Sequence, residues 1–197
     1  APEEVQLWLP PCEQADILAF PTHADDDVLF FGGAISYYAI ERGLTVQTAF
    51  MTKQGNIERV HERLDGLWEM GVRYYPILGS MGESASHSRD EMEYYHRNDN
   101  LKGWQVEQIR RFKPMVIIGH DLDGEYGNGQ HKLNAYYLTM TVEEAADPTL
   151  HEESAALYGT WDTPKLYLHL YPQNRVTMDW NVPLVSMGGK TGLELAQ

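Results

Sequence analysis

Short apolar runs alternate along this chain with longer stretches of helical period. Residues 15–20, "ADILAF", are continuously apolar at their centre, the pattern of a strand covered on both faces. From 27 to 42 the period lengthens, with Val28, Phe31, Ile35 and Ala39 on one face and Gly43 where a helix-ending glycine belongs. "TVQTAFMT" (45–52) is rich in β-branched and aromatic residues and predicts a second strand. Asn56 is placed to cap a helix that reaches about Met70, carries Val60, Leu64, Leu67 and Trp68 inward, and is closed by Gly71. A third strand is expected over 72–79. A helix follows over 101–112, with Leu101, Trp104, Ile109 and Phe112 inward and Pro114 past its end, then a buried strand over 115–120. A glycine-rich loop leads into a helix that fades before Pro148, and "KLYLHLY" (165–171) alternates as a half-buried strand.

Alternating strands and helices predict an α/β fold, a Rossmann-like three-layer sandwich with a mainly parallel sheet. The first strand is not followed by GxGxxG, so a dinucleotide role has no support. Residues 1–14 read as a polar lead-in and 15–197 as a single domain. The tail, 173–197, carries strand-like pieces without a clear stop, which leaves room for a further domain. The polar stretch 80–100 is expected to be a long loop with at most a turn of helix, the kind of segment that serves as a lid or binding element.

Composition narrows the partners. The chain has 197 residues, enough for one full core, and no apolar run of membrane-spanning length. A formal net charge of −14 argues against nucleic acid, which calls for a basic surface, and favours neutral or cationic ligands. Cys12 is the only cysteine, which excludes an internal disulfide and a thiolate metal cage. Cysteine scarcity and the opening "APEEVQ", which lacks a signal-like pattern, leave the compartment open. Oligomeric state is not legible.

The chemistry begins at "THADDD", immediately after the first strand, where three adjacent carboxylates lie beside a histidine. Such crowding is unfavourable without a positive charge among them, and a metal ion is the obvious one. A second suspicious segment, "HDLDGEYGNGQH", follows the strand at 115–120. Ligands of open α/β sheets bind beyond the carboxyl ends of the strands, so neighbouring strands would bring His23, one aspartate and His131 together. The spacing His23-x-x-Asp26 lets both side chains reach one ion from a tight turn, and two imidazoles with one carboxylate suit a catalytic zinc. Asp25 then points elsewhere, placed to act as general base on a water, while Asp27 begins the helix and favours its N-terminus.

Every one of these residues has a blander reading. His23 can shape a turn, the aspartates can be helix-start acids, and His131 alone is uninformative among 8 histidines. His61, His87, His96, His120, His151 and His169 are expected to be solvated or to lie behind the ligands. The same donor set also suits Fe(II).

"THADDDVLFFGG" resembles the AHPDDE-type signature of the PIG-L/LmbE-like N-deacetylase family, with Ala24 replacing its proline and Asp27 its glutamate. "RVHERLDGLWEMGV" (59–72) is similar to the family's Arg-x-x-Glu helix, with Arg59 and Glu62 in register, and "IRRFKPMVIIGHD" to its helix, proline and fourth strand. "GEYGNGQH" resembles its Gly-x-Tyr-Gly-His-Pro-Asp-His segment and "KLYLHL" its closing strand. The resemblance implies an LmbE-like fold and a zinc-dependent hydrolase that removes acetyl groups from N-acetylglucosamine-type sugars, free or in oligosaccharides. It implies His23, Asp26 and His131 as metal ligands, Asp25 as general base, Arg59 as a substrate contact, and Tyr126 as the group that polarises the amide carbonyl or steadies the oxyanion. Asn128 stands where the family has a catalytic histidine, and Gln130 where it has an aspartate. Asparagine donates a hydrogen bond but carries no proton, whereas Gln130 can still accept a hydrogen bond from a ligand histidine. These departures keep open a non-catalytic carbohydrate- or metal-binding module, or an amidase for another amide. Tyr94 and Tyr95 are candidates for sugar stacking, whereas packing is expected for Trp104 and Trp68.

Overall fold

The computed structural model describes residues 5–53 and 55–196. Among them lie five parallel strands: β1 (Ile17–Ala19), β2 (Val46–Thr52), β3 (Ile77–Met81), β4 (Val116–Gly119) and β5 (Lys165–Leu168), in the spatial order β3-β2-β1-β4-β5. Helices cover both faces. Phe30, Phe31 and Ile35 of α1 (Asp26–Ser36) and Leu67 of α2 (Ile57–Glu69) pack with Ile17 and Ala19 on one side. Val106, Ile109 and Phe112 of α4 (Leu101–Phe112), with Leu138 and Ala145 of α5 (Gly129–Ala146), pack with Leu18 on the other. Adjacent residues of β1 thus feed opposite cores, which explains its continuous apolar run. The expected three-layer α/β sandwich is the one observed.

Local chemistry accounts for most element boundaries. Asn56 caps α2 by accepting from Arg59 N–H at 2.9 Å, and Gly71, at φ +86°, follows its end. The strand expected over 72–79 begins only at Ile77, because Pro76 has no N–H to pair with β2; Tyr74 instead bridges Leu9. Within 80–100 a two-turn helix, α3 (Arg89–Tyr95), is capped by Ser88. A short α6 (Glu152–Tyr158) was not legible in the pattern; Arg110 holds its start, donating to His151 O and Ser154 Oγ at 2.8 Å each. In the tail, expected to be strand-like, Pro183 bridges Thr191 and then α7 (Gly192–Ala196) forms. The reason is a capping box: Thr191 N–H donates to Glu194 Oε2 at 2.8 Å, and Glu194 N–H returns to Thr191 Oγ1 at 3.1 Å. In the 1–14 lead-in, residues 1–4 lie outside the described residues, and Cys12 is buried in the core beneath α4.

From β1 the sheet grows both ways, to β2 on one side and to β4 on the other. The crevice beyond the carboxyl ends of β1 and β4 is therefore a topological switch point, the place where such sheets bind ligands. Among the described residues no helix is long and apolar enough to cross a membrane.

Candidate metal centre

Three side chains meet in that crevice. His23 follows β1, Asp26 opens α1, and His131 lies in the first turn of α5. His23 Nδ1 is 3.0 Å from His131 Nε2 and 3.2 Å from Asp26 Oδ2, and His131 Nε2 is 3.2 Å from the same oxygen. Three donor atoms on a triangle of that size are able to hold a metal ion.

The surrounding hydrogen bonds turn the right nitrogens inward. Gln130 Oε1 accepts from His23 Nε2–H at 3.0 Å, which leaves the Nδ1 lone pair facing the triangle. Gln130 is itself held: Oε1 also accepts from Ser84 N–H, and Nε2 donates to Gly82 O and to His96 Nε2, each at 2.8 Å. His96 passes its Nδ1 proton to Asp99 at 2.6 Å. On the other side, His131 Nδ1–H donates to Glu125 Oε2 at 2.9 Å, leaving Nε2 free to ligate. His120, fully buried and stacked on His131 with centroids 4.0 Å apart, donates Nδ1–H to the same oxygen and accepts from Thr22 N–H. His169 Nδ1 adds a bond to Glu125 Oε1 at 2.8 Å.

Charge follows this arrangement. Burial alone would raise the Asp26 carboxyl, yet the imidazoles gathered around it, His120, His131 and His23, hold it well below the usual carboxylate range. Glu125 is depressed for the same reason, by His120, His131 and His169 against burial. Burial opposes a proton on His131, but Asp26 and Glu125 outweigh it and raise the imidazole to about 9. His23 is raised as well, its burial outweighed by Asp26. A divalent cation replaces those protons with the charge this donor set is built to face.

The remaining sequence-predicted residues lie around the triangle. Asp25 is half exposed and is not a member of the triangle; it pairs with Arg59 Nη2 at 3.3 Å, and Arg59 also pairs with Glu62 at 2.8 Å. Tyr126 is 84% exposed and sits at φ +56°, its ring 5.8 Å from that of Phe30. Asn128 is the cap of α5: Oδ1 accepts from Gln130 N–H at 2.8 Å and His131 N–H at 3.2 Å. Asp27 lies in the first turn of α1 as expected but makes no capping bond. It is fully buried, and burial pushes its carboxyl up to about 8. Its charged neighbour is Arg63, which lies over the Phe50 ring at 3.9 Å and is lowered by burial to about 10.

The stretch 80–100, expected to be a lid or binding element, packs on this site. Gly129 N–H donates to Ser86 O at 2.8 Å, and a Cβ on Gly129 would stand 2.7 Å from Ser88 O, so only glycine admits this approach. Tyr94 and Tyr95 are exposed, whereas Trp104 packs edge-on against Phe20 and Trp68 against Trp8. Sequence reasoning missed Glu125, the carboxylate that three histidines share. The signal available was its position after a strand end, five residues from His120. His96 and His120 lie behind the triangle, bonded to Gln130 and Glu125, while His61 and His87 are exposed.

No protein-family model matches the chain. Its curated relatives include the 1D-myo-inositol 2-acetamido-2-deoxy-alpha-D-glucopyranoside deacetylase 1 of Catenulispora acidiphila, 25% identical over 186 residues, which cover 80% of this chain and 56% of the relative. The corresponding deacetylase of Streptomyces avermitilis is 25% identical over 184 residues, 80% of this chain and 62% of the relative. The chain thus spans about three fifths of the length of these relatives. In fold it is similar to the N,N'-diacetylchitobiose deacetylase of Pyrococcus horikoshii (TM-score 0.63, 15% identity, 94% of this chain and 71% of that one). It is also similar to the conserved protein TT1542 from Thermus thermophilus (TM-score 0.62, 17% identity, 93% and 77%). A third neighbour is the 4-carboxy-2-hydroxymuconate hydratase of Pseudomonas putida (TM-score 0.56, 18% identity, 80% and 65%). The resemblance to PIG-L/LmbE-like deacetylases read from the motifs is the one these relatives carry.

Proposed function

We propose that the chain carries the active site of a zinc-dependent hydrolase that removes the N-acetyl group from an N-acetylglucosamine-type sugar, free or within an oligosaccharide or conjugate. The observation that carries this reading is the triangle of His23 Nδ1, Asp26 Oδ2 and His131 Nε2, at 3.0 to 3.2 Å, with Asp25 beside it and not in it. The relatives named as deacetylases of an acetamido sugar support the substrate class.

His23, Asp26 and His131 would hold the ion, which when bound makes a water acidic and polarises a carbonyl oxygen. Asp25 takes the water's proton; its carboxylate is half exposed and, among the described residues, pairs only with Arg59. Arg59, at the mouth, orients Asp25 and meets substrate hydroxyls. Tyr126 extends over Phe30 and donates its phenol to the acetyl oxygen as negative charge develops there. Asn128 spends Oδ1 on the α5 cap and retains its amide N–H for the sugar.

A second reading has an observation of its own: Asn128 acts as a cap and carries no proton, as a sugar-binding module that has lost catalysis would also show. The test is acetate release by the zinc-loaded protein from N-acetylglucosamine, its short β-1,4 oligomers and a muropeptide. Release that a chelator abolishes is the expected result. Binding without release, by protein holding one zinc per chain, would overturn hydrolysis in favour of the module. Anaerobic competition with Fe(II) separates the two metals.

A further inference from the structure

Cleaving an amide expels an amine, and the nitrogen must gain a proton as the carbon–nitrogen bond breaks. Of the groups assigned so far, Asp25 has only the proton it takes from water to return, Asn128 has no titratable proton to give, and both ring nitrogens of His120 and of His96 are engaged in hydrogen bonds. We propose that His169 is the proton donor to the leaving amine, oriented by Glu125; this rests on the amide-hydrolysis reading above.

His169 stands just past β5, its backbone N–H donated to Gly119 O at 2.9 Å, so it is fixed at the carboxyl end of the sheet. Its Nδ1–H is donated to Glu125 Oε1 at 2.8 Å, while Glu125 Oε2 accepts from His131 Nδ1 at 2.9 Å. One carboxylate therefore ties this imidazole to an imidazole of the metal triangle. Nε2 of His169 has no hydrogen-bond partner among the described residues, and the side chain is 28% exposed. The rings of His131, Tyr126 and His169 lie 5.7, 5.8 and 5.9 Å from that of Phe30, so the imidazole belongs to one ring cluster with His131 and Tyr126. A histidine whose far nitrogen is free and whose near nitrogen is held by a carboxylate is the arrangement of an imidazole acid–base catalyst. His87, an exposed histidine whose Nδ1 lies 3.1 Å from the backbone carbonyl Gly127 O, pairs with no carboxylate among the described residues.

In the step, water adds to the acetyl carbon and yields a proton to Asp25. The carbon–nitrogen bond breaks, its electron pair stays on nitrogen, and the Nε2 proton of the His169 imidazolium joins that nitrogen. Neutral His169 regains a proton from solvent as Asp25 releases the one it took.

The experiment compares zinc-loaded wild type with His169→Gln and His169→Ala on an N-acetyl sugar and on 4-nitrophenyl acetate, whose phenolate leaves without protonation. The expected result is a loss of about 100-fold or more on the amide and of less than about 5-fold on the ester, with zinc affinity unchanged by titration. Equal losses on both substrates with zinc retained, or no loss on either, would overturn the proposal. A wild type that cleaves the ester but no N-acetyl substrate overturns the hydrolase reading itself, and the proposal with it.

Discussion

Gln130 Oε1 accepts from His23 Nε2–H at 3.0 Å, and that contact decides which nitrogen His23 turns toward Asp26 and His131. Both of the amide's own donors are anchored, on Gly82 O and His96 Nε2, so the amide cannot flip without losing two bonds. Gln130→Leu should therefore weaken zinc binding by about 10- to 100-fold. His96→Ala, one bond further out, should do so less. Competition titration against a chelator reads both; an unaltered affinity in the leucine variant would remove the orienting role.

Asp25 and Asp26 are adjacent in sequence, but Asp26 joins the triangle and Asp25 pairs with Arg59. Asp26→Asn removes the charge from the triangle and should abolish stoichiometric zinc. Asp25→Asn should keep the metal and lose turnover by at least about 100-fold, since a positioned base contributes that much. Metal analysis beside acetate release distinguishes them. An active, zinc-loaded Asp25→Asn protein would strip Asp25 of the base assignment.

Metal binding should strengthen with pH. Against the cost of burial, Asp26 and Glu125 raise the metal-free His131 to about 9, so the ion must displace a proton below that value. The sign for folding is the reverse. Because the folded value lies above the ordinary one of 6.5, His131 contributes stability to the metal-free chain in full below about 6.5. That contribution fades as pH rises through about 9. Melting temperatures with and without zinc should accordingly diverge between pH 6 and pH 8.5, with the gap widening as pH rises.

Arg110 is buried and donates to five backbone carbonyls, those of Glu144, Ala145, Asp147, Leu150 and His151, as well as to Ser154 Oγ. Arg110→Met strands several of these at about 1–3 kcal/mol each, so a loss of about 3 kcal/mol or more is expected in chemical denaturation. Lysine should not rescue it, since one ammonium cannot reach partners spread across the end of α5 and the start of α6.

Much of this was readable beforehand because it is local. Asn56 and Gly71 bound α2, and the apolar run at 15–20 marks a strand whose alternate residues feed two cores. The His23-x-x-Asp26 spacing places two donors on one turn, and the position of His131 after a neighbouring strand's end brought it to the same point, in agreement with the resemblance to a known signature. Errors arose where one feature outweighs a pattern. Pro76 delays β3, and the Thr191–Glu194 box makes a helix of an apparent strand.

The order of elements, their periods and the three donors follow from the chain itself, since covalent spacing and side-chain chemistry set them. The support behind the donors belongs to the tertiary structure. Glu125 gathers His120, His131 and His169 from three segments, and Gln130 links His23 to His96 and Asp99 from the 80–100 stretch. No spacing encodes the distant members of that set, His169 to Glu125 and Gln130 to His23 and His96, because folding alone brings those segments within hydrogen-bond reach. Which nitrogen faces the triangle is therefore a property of the folded chain.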